Sequence, residues 1–205
     1  MEIIWKGHSC FLLKENNYTI CIDPYIDDMI PGLSPLRVQA DAVYCSHGHN
    51  DHAWTDAVTL SDSGEPSPFN VIKLPSFHDE EEGAKRGANT IHIFECGNLR
   101  VAHLGDLGHL PNQQQLQACG LLDAAMVPVG GFYTIDAKTA QRLCGLLDAR
   151  VIIPMHYRTK QFGLLDIGTL DQFLAFREDV KRYRTDTLTL DADTPRQTAV
   201  LKYQD

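Results

Sequence analysis

His47-Gly48-His49-Asn50-Asp51-His52 places four metal-ligating side chains within six consecutive positions. Neutral imidazole and carboxylate are the ligands that a catalytic zinc ion or a similar first-row metal uses. Four such groups this close together cannot all face one ion in the same way. The β-prone run Ala40–Ser46 leads straight into the cluster, so its first residues are expected to be extended. His47 and His49 then share a side, because strand side chains repeat every two residues. Asp51 and His52 lie round a turn, free to reach a second ion. The spacing predicts two neighbouring metals, against the plainer alternative of a solvated polar loop.

Outward from the cluster, further candidates sit at the same kind of position. His78 follows the strand-like Val71–Pro75, and Asp106 follows Arg100–Leu104 through Gly105. His156 follows the apolar run Arg150–Pro154. Strand ends that pass into loops are where sites are usually built. Any one of these histidines alone would be an ordinary structural residue, but four junctions of one kind point to a convergent metal site. His103 competes with His78 for the first metal, although neighbouring strand residues such as His103 and Leu104 point oppositely. His92, in the alternating Ile91-His92-Ile93-Phe94, is expected to face solvent.

The remaining pattern predicts a layered α/β domain. Glu2–Lys6, Ser9–Lys14 and Tyr18–Asp23 are short β-prone runs, with Glu15-Asn16-Asn17 as a hairpin turn. Thr90–Glu95 and Arg100–Leu104 continue the strands, and the Gly- and Pro-containing stretch Asp62–Asn70 is expected to be loop. Helices are predicted at Pro111–Cys119, Asp136–Leu147 and Thr169–Lys181, with strands at Asp123–Val127, Thr187–Leu190 and Ala199–Lys202. No linker or repeat interrupts this order, so residues 1–205 are expected to form one domain.

The chain has 205 residues and a formal net charge of -9, which argues against sequence-independent grip on nucleic acid. A small anionic substrate stays compatible, since bound metals dominate the charge of their own pocket. The acidic run Asp79-Glu80-Glu81-Glu82 is expected to be a solvated turn. Met1–Lys6 lacks a basic start, and no apolar run approaches the roughly 18 residues of a membrane span. Cys10, Cys21, Cys45, Cys96, Cys119 and Cys144 form no CxxC pair and are expected to be reduced, as in a cytoplasmic protein. The sequence gives no indication of oligomeric state.

His47-x-His49-x-Asp51-His52, a later lone histidine, Gly105-Asp106 and a histidine after the last core strand together resemble the metallo-β-lactamase-fold hydrolases. Gly7-His8-Ser9, Pro128-Val129-Gly130-Gly131 and Ile153-Pro154-Met155-His156-Tyr157 resemble the compact zinc-dependent subgroup that includes the ascorbate-6-phosphate lactonase branch. The resemblance implies an αββα sandwich with a two-metal site at one edge. It implies that His47, His49 and His78 hold one metal, and Asp51, His52 and His156 the other, with Asp106 bridging. Asp23 would support the ligand loop from behind. His8, His103 and His109 are expected to line the pocket or support it.

Two divalent ions, zinc with manganese or iron as alternatives, would share a hydroxide able to attack a carbonyl carbon or phosphorus. Asp51 would orient that nucleophile or take its proton. Gly130, Gly131 and Tyr133 lead into a helix whose amides are candidates for an anionic oxygen, with a plain tight turn as the alternative. Tyr157, Arg158 and Lys160 are further candidates for binding a carboxylate or phosphate. The expected activity is hydrolysis of a small-molecule ester, lactone or phosphodiester. A metal-binding or ligand-sensing protein on the same scaffold is the alternative. A nuclease would carry an inserted domain and a basic surface, a flavodiiron reductase a glutamate at position 49, and an exported β-lactamase a signal peptide.

Overall fold

The computed structural model describes residues 1–61, 64 and 66–204; of the loop expected at Asp62–Asn70, Asp62, Ser63 and Glu65 lie outside the described residues. Fourteen strands follow one another along those residues. They are β1 (Glu2–Gly7), β2 (Cys10–Glu15), β3 (Tyr18–Ile22), β4 (Val38–Ala40), β5 (Ala42–Tyr44), β6 (Val58–Leu60) and β7 (Asn70–Phe77). Then come β8 (Ala88–Cys96), β9 (Leu99–His103), β10 (Ala124–Pro128), β11 (Val151–Met155), β12 (Val180–Arg182), β13 (Thr187–Thr189) and β14 (Gln197–Val200). Three helices, α1 (Gln113–Cys119), α2 (Ala137–Leu147) and α3 (Leu170–Leu174), fall in the second half.

The strands make a five-stranded sheet ordered β13-β1-β2-β3-β5 and a seven-stranded sheet ordered β12-β14-β11-β10-β9-β8-β7. Alternation along the first sheet gives each of its faces a core. Ile3, Trp5, Phe11, Leu13, Ile20 and Ile22 enter the large cluster shared with the second sheet. Cys10, Leu12 and Cys21 turn the other way, onto Tyr25, Leu36, Ala40, Ala57 and Val58. On that outer face the short pair β4-β6 and a 3-10 turn at Thr55–Ala57 stand where a helical layer was expected. All six cysteines are free thiols.

In the second sheet β9, β10 and β11 are parallel neighbours joined through α1 and α2. Right-handed crossovers stepping in one direction put both helices on one face of the sheet. Every residue of β10 and β11 is buried, as expected of strands covered on both faces. α2 contributes Ala140, Leu143, Cys144 and Leu147 to the core, and the Asp136 carboxylate caps it by accepting from Thr139 N at 2.8 Å.

Three local expectations give way. Ala40–Ser46 is not one strand: Asp41 bonds Thr19 through its amide and its carboxylate, both at 2.8 Å, which separates β4 from β5. The helix expected to reach Lys181 ends at Leu174. Arg177 there grips Asp179 at 2.8 Å and Thr198 Oγ1 at 2.7 Å, drawing the chain out to pair as β12. His92 does not face solvent. It is 1% exposed, with Tyr44 edge-on at 5.6 Å, and burial lowers its pKa to about 4. No helix among the described residues is long and apolar enough to cross a membrane.

The pairing pattern fixes where function can sit. β1, β3 and β5 run the same way in the first sheet, as do β7, β9, β10 and β11 in the second. Their carboxyl ends carry His8, Asp23, the 46–52 segment, His78, Asp106, Tyr133 and His156 to one edge of the sandwich.

Candidate metal centre

After β5 the chain turns back on itself: the amides of His52 and Ala53 both donate to His49 O at 2.9 Å. His47–His49 lie in a bend beyond the strand and not in extended chain, yet the ligands still fall into separate groups. His47, His49 and His78 form one group, and His8, Asp51, His52 and His156 another. Within each group one ligand atom per residue lies within 4.8 Å of the rest. Asp106 stands between the groups. Its Oδ2 is 3.2 Å from Nε2 of His78 on one side and 3.2 Å from Nε2 of both His52 and His156 on the other.

The rings are aimed from behind. His78 Nδ1 donates to Tyr133 O at 3.0 Å, leaving Nε2 directed into the centre. Asp23, fully buried, accepts from His52 Nδ1 at 2.8 Å, and from Ser46 N at 2.7 Å and Oγ at 2.6 Å. Ser46 Oγ in turn lies 2.9 Å from His47 Nδ1. One carboxylate therefore orients a histidine in each group. Gly105 lets the chain turn into Asp106 with φ +56°, where a Cβ would meet Asn89 Oδ1 at 2.3 Å. That same Asn89 oxygen accepts the Asp106 amide at 2.9 Å.

Toward the middle the donors lack partners. Nε2 of His47, His52 and His156, both ring nitrogens of His8, and Oδ1 of Asp106 are buried without a hydrogen bond. Buried polar atoms are normally satisfied, so a concentration of orphans here is a departure that a bound cation would relieve. Spacing fits as well. Tetrahedral ligands about 2.1 Å from a zinc ion lie about 3.4 Å from one another. His8 Nε2 and His52 Nε2 stand 3.4 and 3.6 Å from Asp51 Oδ2.

Burial keeps His47 and His8 neutral, with pKa values of about 3 and about 4, in the state that can donate a lone pair. Burial would also lower His52, but Asp106 and Asp23 on its two sides overcome it and raise the pKa well above the ordinary value. Burial pushes Asp106 the other way, yet His156 and His52 hold it well below the usual carboxylate range. The residues present fit two divalent ions in number, type and spacing.

Residues 2–156 match the Beta-lactamase superfamily domain. The chain belongs to the metallo-β-lactamase superfamily. A Thermotoga maritima protein assigned as a Zn-dependent hydrolase of this superfamily superposes with a TM-score of 0.77 at 33% identity, over 99% of both chains. Among relatives by sequence, a Pyrococcus abyssi UPF0173 protein is 26% identical over 93% of this chain and 96% of its own length. A Thermoplasma acidophilum UPF0173 metal-dependent hydrolase is 25% identical over 78% and 84%.

Around this metallo-β-lactamase centre several expected pocket residues have other work. His103 donates from Nε2 to Ser9 O at 2.9 Å and accepts Gly105 N on Nδ1 at 3.1 Å, so both ring nitrogens hold backbone. His109 likewise accepts Phe77 N at 3.1 Å and lies 2.9 Å from Leu110 O, a strut between loops instead of a pocket group. Tyr157 is buried against Trp5 at 5.6 Å and Phe162 at 6.1 Å, and Arg158 donates to Ile167 O. Lys160 is exposed. The amides of Gly131, Tyr133 and Ile135 donate to Ile135 O, Gly131 O and Leu107 O, so these three donors of the glycine loop are spent within the protein. Gly130 is needed for contact, since a Cβ there would lie 2.2 Å from His156 O.

His8, expected to line or support the pocket, and Asp79, expected in a solvated turn, take other places. His8 joins the second cluster because Gly7 and His8 take positive φ, 98° and 50°, at the β1–β2 hairpin. Its ring centroid lies 4.2 Å from that of His156, the two planes tilted by 44°. Asp79 does not belong to a solvated turn: it is buried and accepts the amides of Glu81, Gly83, Lys85 and Arg86. Lys85 and Arg86 of its loop line a cleft of about 620 Å³ together with His49, Asp51, His78, Tyr133, Met29 and Leu164.

Proposed function

We propose that this metal-dependent hydrolase of the metallo-β-lactamase superfamily works with two divalent ions. His47, His49 and His78 would hold the first. Asp51, His52 and His156, joined by His8, would hold the second. Asp106 is the shared ligand, and its Oδ2, equidistant at 3.2 Å from one imidazole of the first group and two of the second, carries the reading. Zinc suits a centre of imidazoles and carboxylates, and manganese and iron are compatible with the same donors.

Ions bound there would supply Lewis acidity and water acidified to near neutral pH. The chain's own groups supply the rest. Asp51 lines the cleft as well as the centre, so its carboxylate can accept a hydrogen bond from the attacking group and orient it. His8 and His52 beside it keep that carboxylate ionised against the effect of burial. Asp23, Ser46 and the Tyr133 carbonyl keep the rings in register. The scissile group is a carbonyl or phosphorus centre, in an ester, a lactone or a phosphodiester. A small molecule fits better than a nucleic acid, given a cleft of about 620 Å³ and a net charge of -9.

Metal analysis of the purified protein tests this directly, with close to two ions per chain expected and His52→Ala losing most of one. A single ion bound with all ligands intact would sink the binuclear mechanism. Turnover of a panel of lactones, thioesters and phosphodiesters with zinc, manganese or iron supplied then sorts the substrate class.

A further inference from the structure

Among the described residues, eight of the 18 lysine and arginine side chains form an ion pair. Six arginines pair with carboxylates: Arg37, Arg100, Arg150, Arg177, Arg182 and Arg196. At the cleft Lys85 is engaged too, with Glu81 at 2.5 Å. Arg86 differs. Among the described residues no carboxylate forms an ion pair with it, although it is half-buried and lines the cleft. Its guanidinium lies 5.7 Å from the centroid of the Tyr133 ring.

The backbone beneath this cation is built in. Asp79 Oδ2 accepts the Arg86 amide at 2.7 Å and the Lys85 amide at 3.0 Å. Gly87 O accepts the amide of His78 at 3.0 Å, closing the 79–87 loop directly onto a residue of the first cluster. Tyr133, which supports the guanidinium, is the residue whose carbonyl orients His78. Arg86 is thus held at a defined place relative to the metal residues, with a planar fork suited to an oxyanion. Met29 and Leu164 add apolar surface to the lining of the same cleft. Glu80, Glu81 and Asp136 line an adjoining hollow that Arg86 also borders, and of these Glu81 is already paired with Lys85.

We infer that Arg86, braced on Tyr133, recognises an oxyanion that the substrate carries away from the bond being cleaved. The substrate class is then a carboxylate- or phosphate-bearing small molecule with an apolar middle lying against Met29 and Leu164. The inference rests on the two-metal reading, because the other end of the substrate must meet the metals.

The test uses unreactive probes on the metal-loaded protein. Calorimetry compares the dicarboxylates from succinate to pimelate with monocarboxylates of matched length, and 5-phosphonopentanoate with pentanoate. One end of each probe meets the metals, and only the two-ended probes reach Arg86. At one chain length or more, the two-ended probe is expected to bind about ten- to a hundredfold tighter than its partner, the range of a charge-assisted pair. Arg86→Met should abolish that preference and Arg86→Lys should keep part of it. Preference for the phosphonate over the dicarboxylates would assign phosphate as the natural group, and the reverse would assign carboxylate. Equal binding of one- and two-ended probes at every length, or a preference surviving in Arg86→Met, would overturn the inference. The metal count of the same samples reads the two-metal proposal separately, and Arg86→Met should leave it unchanged.

Discussion

The two edges of the seven-stranded sheet are built on opposite terms. At the edge where β9, β10 and β11 begin, charges are matched. Arg100 meets Glu95 and the carbonyls of Ala118 and Cys119. Arg150 meets Asp123 at 2.6 Å and the carbonyls of Asp191, Ala192 and Thr194. Arg196 meets Asp148 at 2.9 Å and Ala149 O at 3.1 Å. At the edge where the strands end, imidazole and carboxylate atoms are buried without hydrogen bonds and three site residues take positive φ. One edge is finished within the protein and holds the fold, and the other is completed by ligands from outside.

Substitutions at each edge can break that contrast. The largest effect is expected for Asp106→Ala, which removes the shared ligand. Metal analysis should fall below two ions per chain, and hydrolytic activity should drop by about a thousandfold, several kcal/mol of transition-state stabilisation. Two retained ions would detach Asp106 from the centre. Next comes Arg150→Ala at the finished edge, expected to lower unfolding free energy by about 2–3 kcal/mol in urea titrations with the ion count unchanged. Loss of metal there would show that the edges are not separable. Smallest is Asp23→Asn, which keeps the shape but weakens the carboxylate behind His52 and Ser46. Competition with a chelator should show metal affinity down by about 10- to 100-fold. An unchanged affinity would make Asp23 a packing residue only.

Much of the ligand-bearing edge was legible because its signal is chemical. Six residues from 47 to 52 name a metal by composition, and the expected separation of His47 and His49 from Asp51 and His52 is found, although a bend and not an extended chain produces it. His78, Asp106 and His156 followed from standing just beyond apolar runs. What escaped depends on backbone geometry or distant partners. His8 enters the second group through a left-handed hairpin residue that Gly7-His8-Ser9 does not announce. Tyr157, next to His156, was expected at the site but faces Trp5 and Phe162, because adjacent residues leaving a strand point apart. Arg86 lies beyond the acidic run Asp79-Glu80-Glu81-Glu82 and carried no signal of its own, since the four amides that bind Asp79 are a property of the folded loop. The helix expected over 169–181 failed for a similar reason, its apolar stripe stopping at Leu170 and Phe173 while Arg177 sought Asp179.

His8, Asp23 and His156 all hold left-handed backbone, at φ 50°, 49° and 54°. At each position glycine would relax the chain, and such strain costs on the order of 1–3 kcal/mol per residue. At His8 and His156, whose ring nitrogens have no hydrogen bond, stability and metal chemistry thus ask for different amino acids, whereas Asp23 is held by its bonds to Ser46 and His52. A search for more heat-resistant variants of this protein, run without an assay for bound metal, should drift toward glycine at those two histidines and recover a sturdier sandwich with an inert rim.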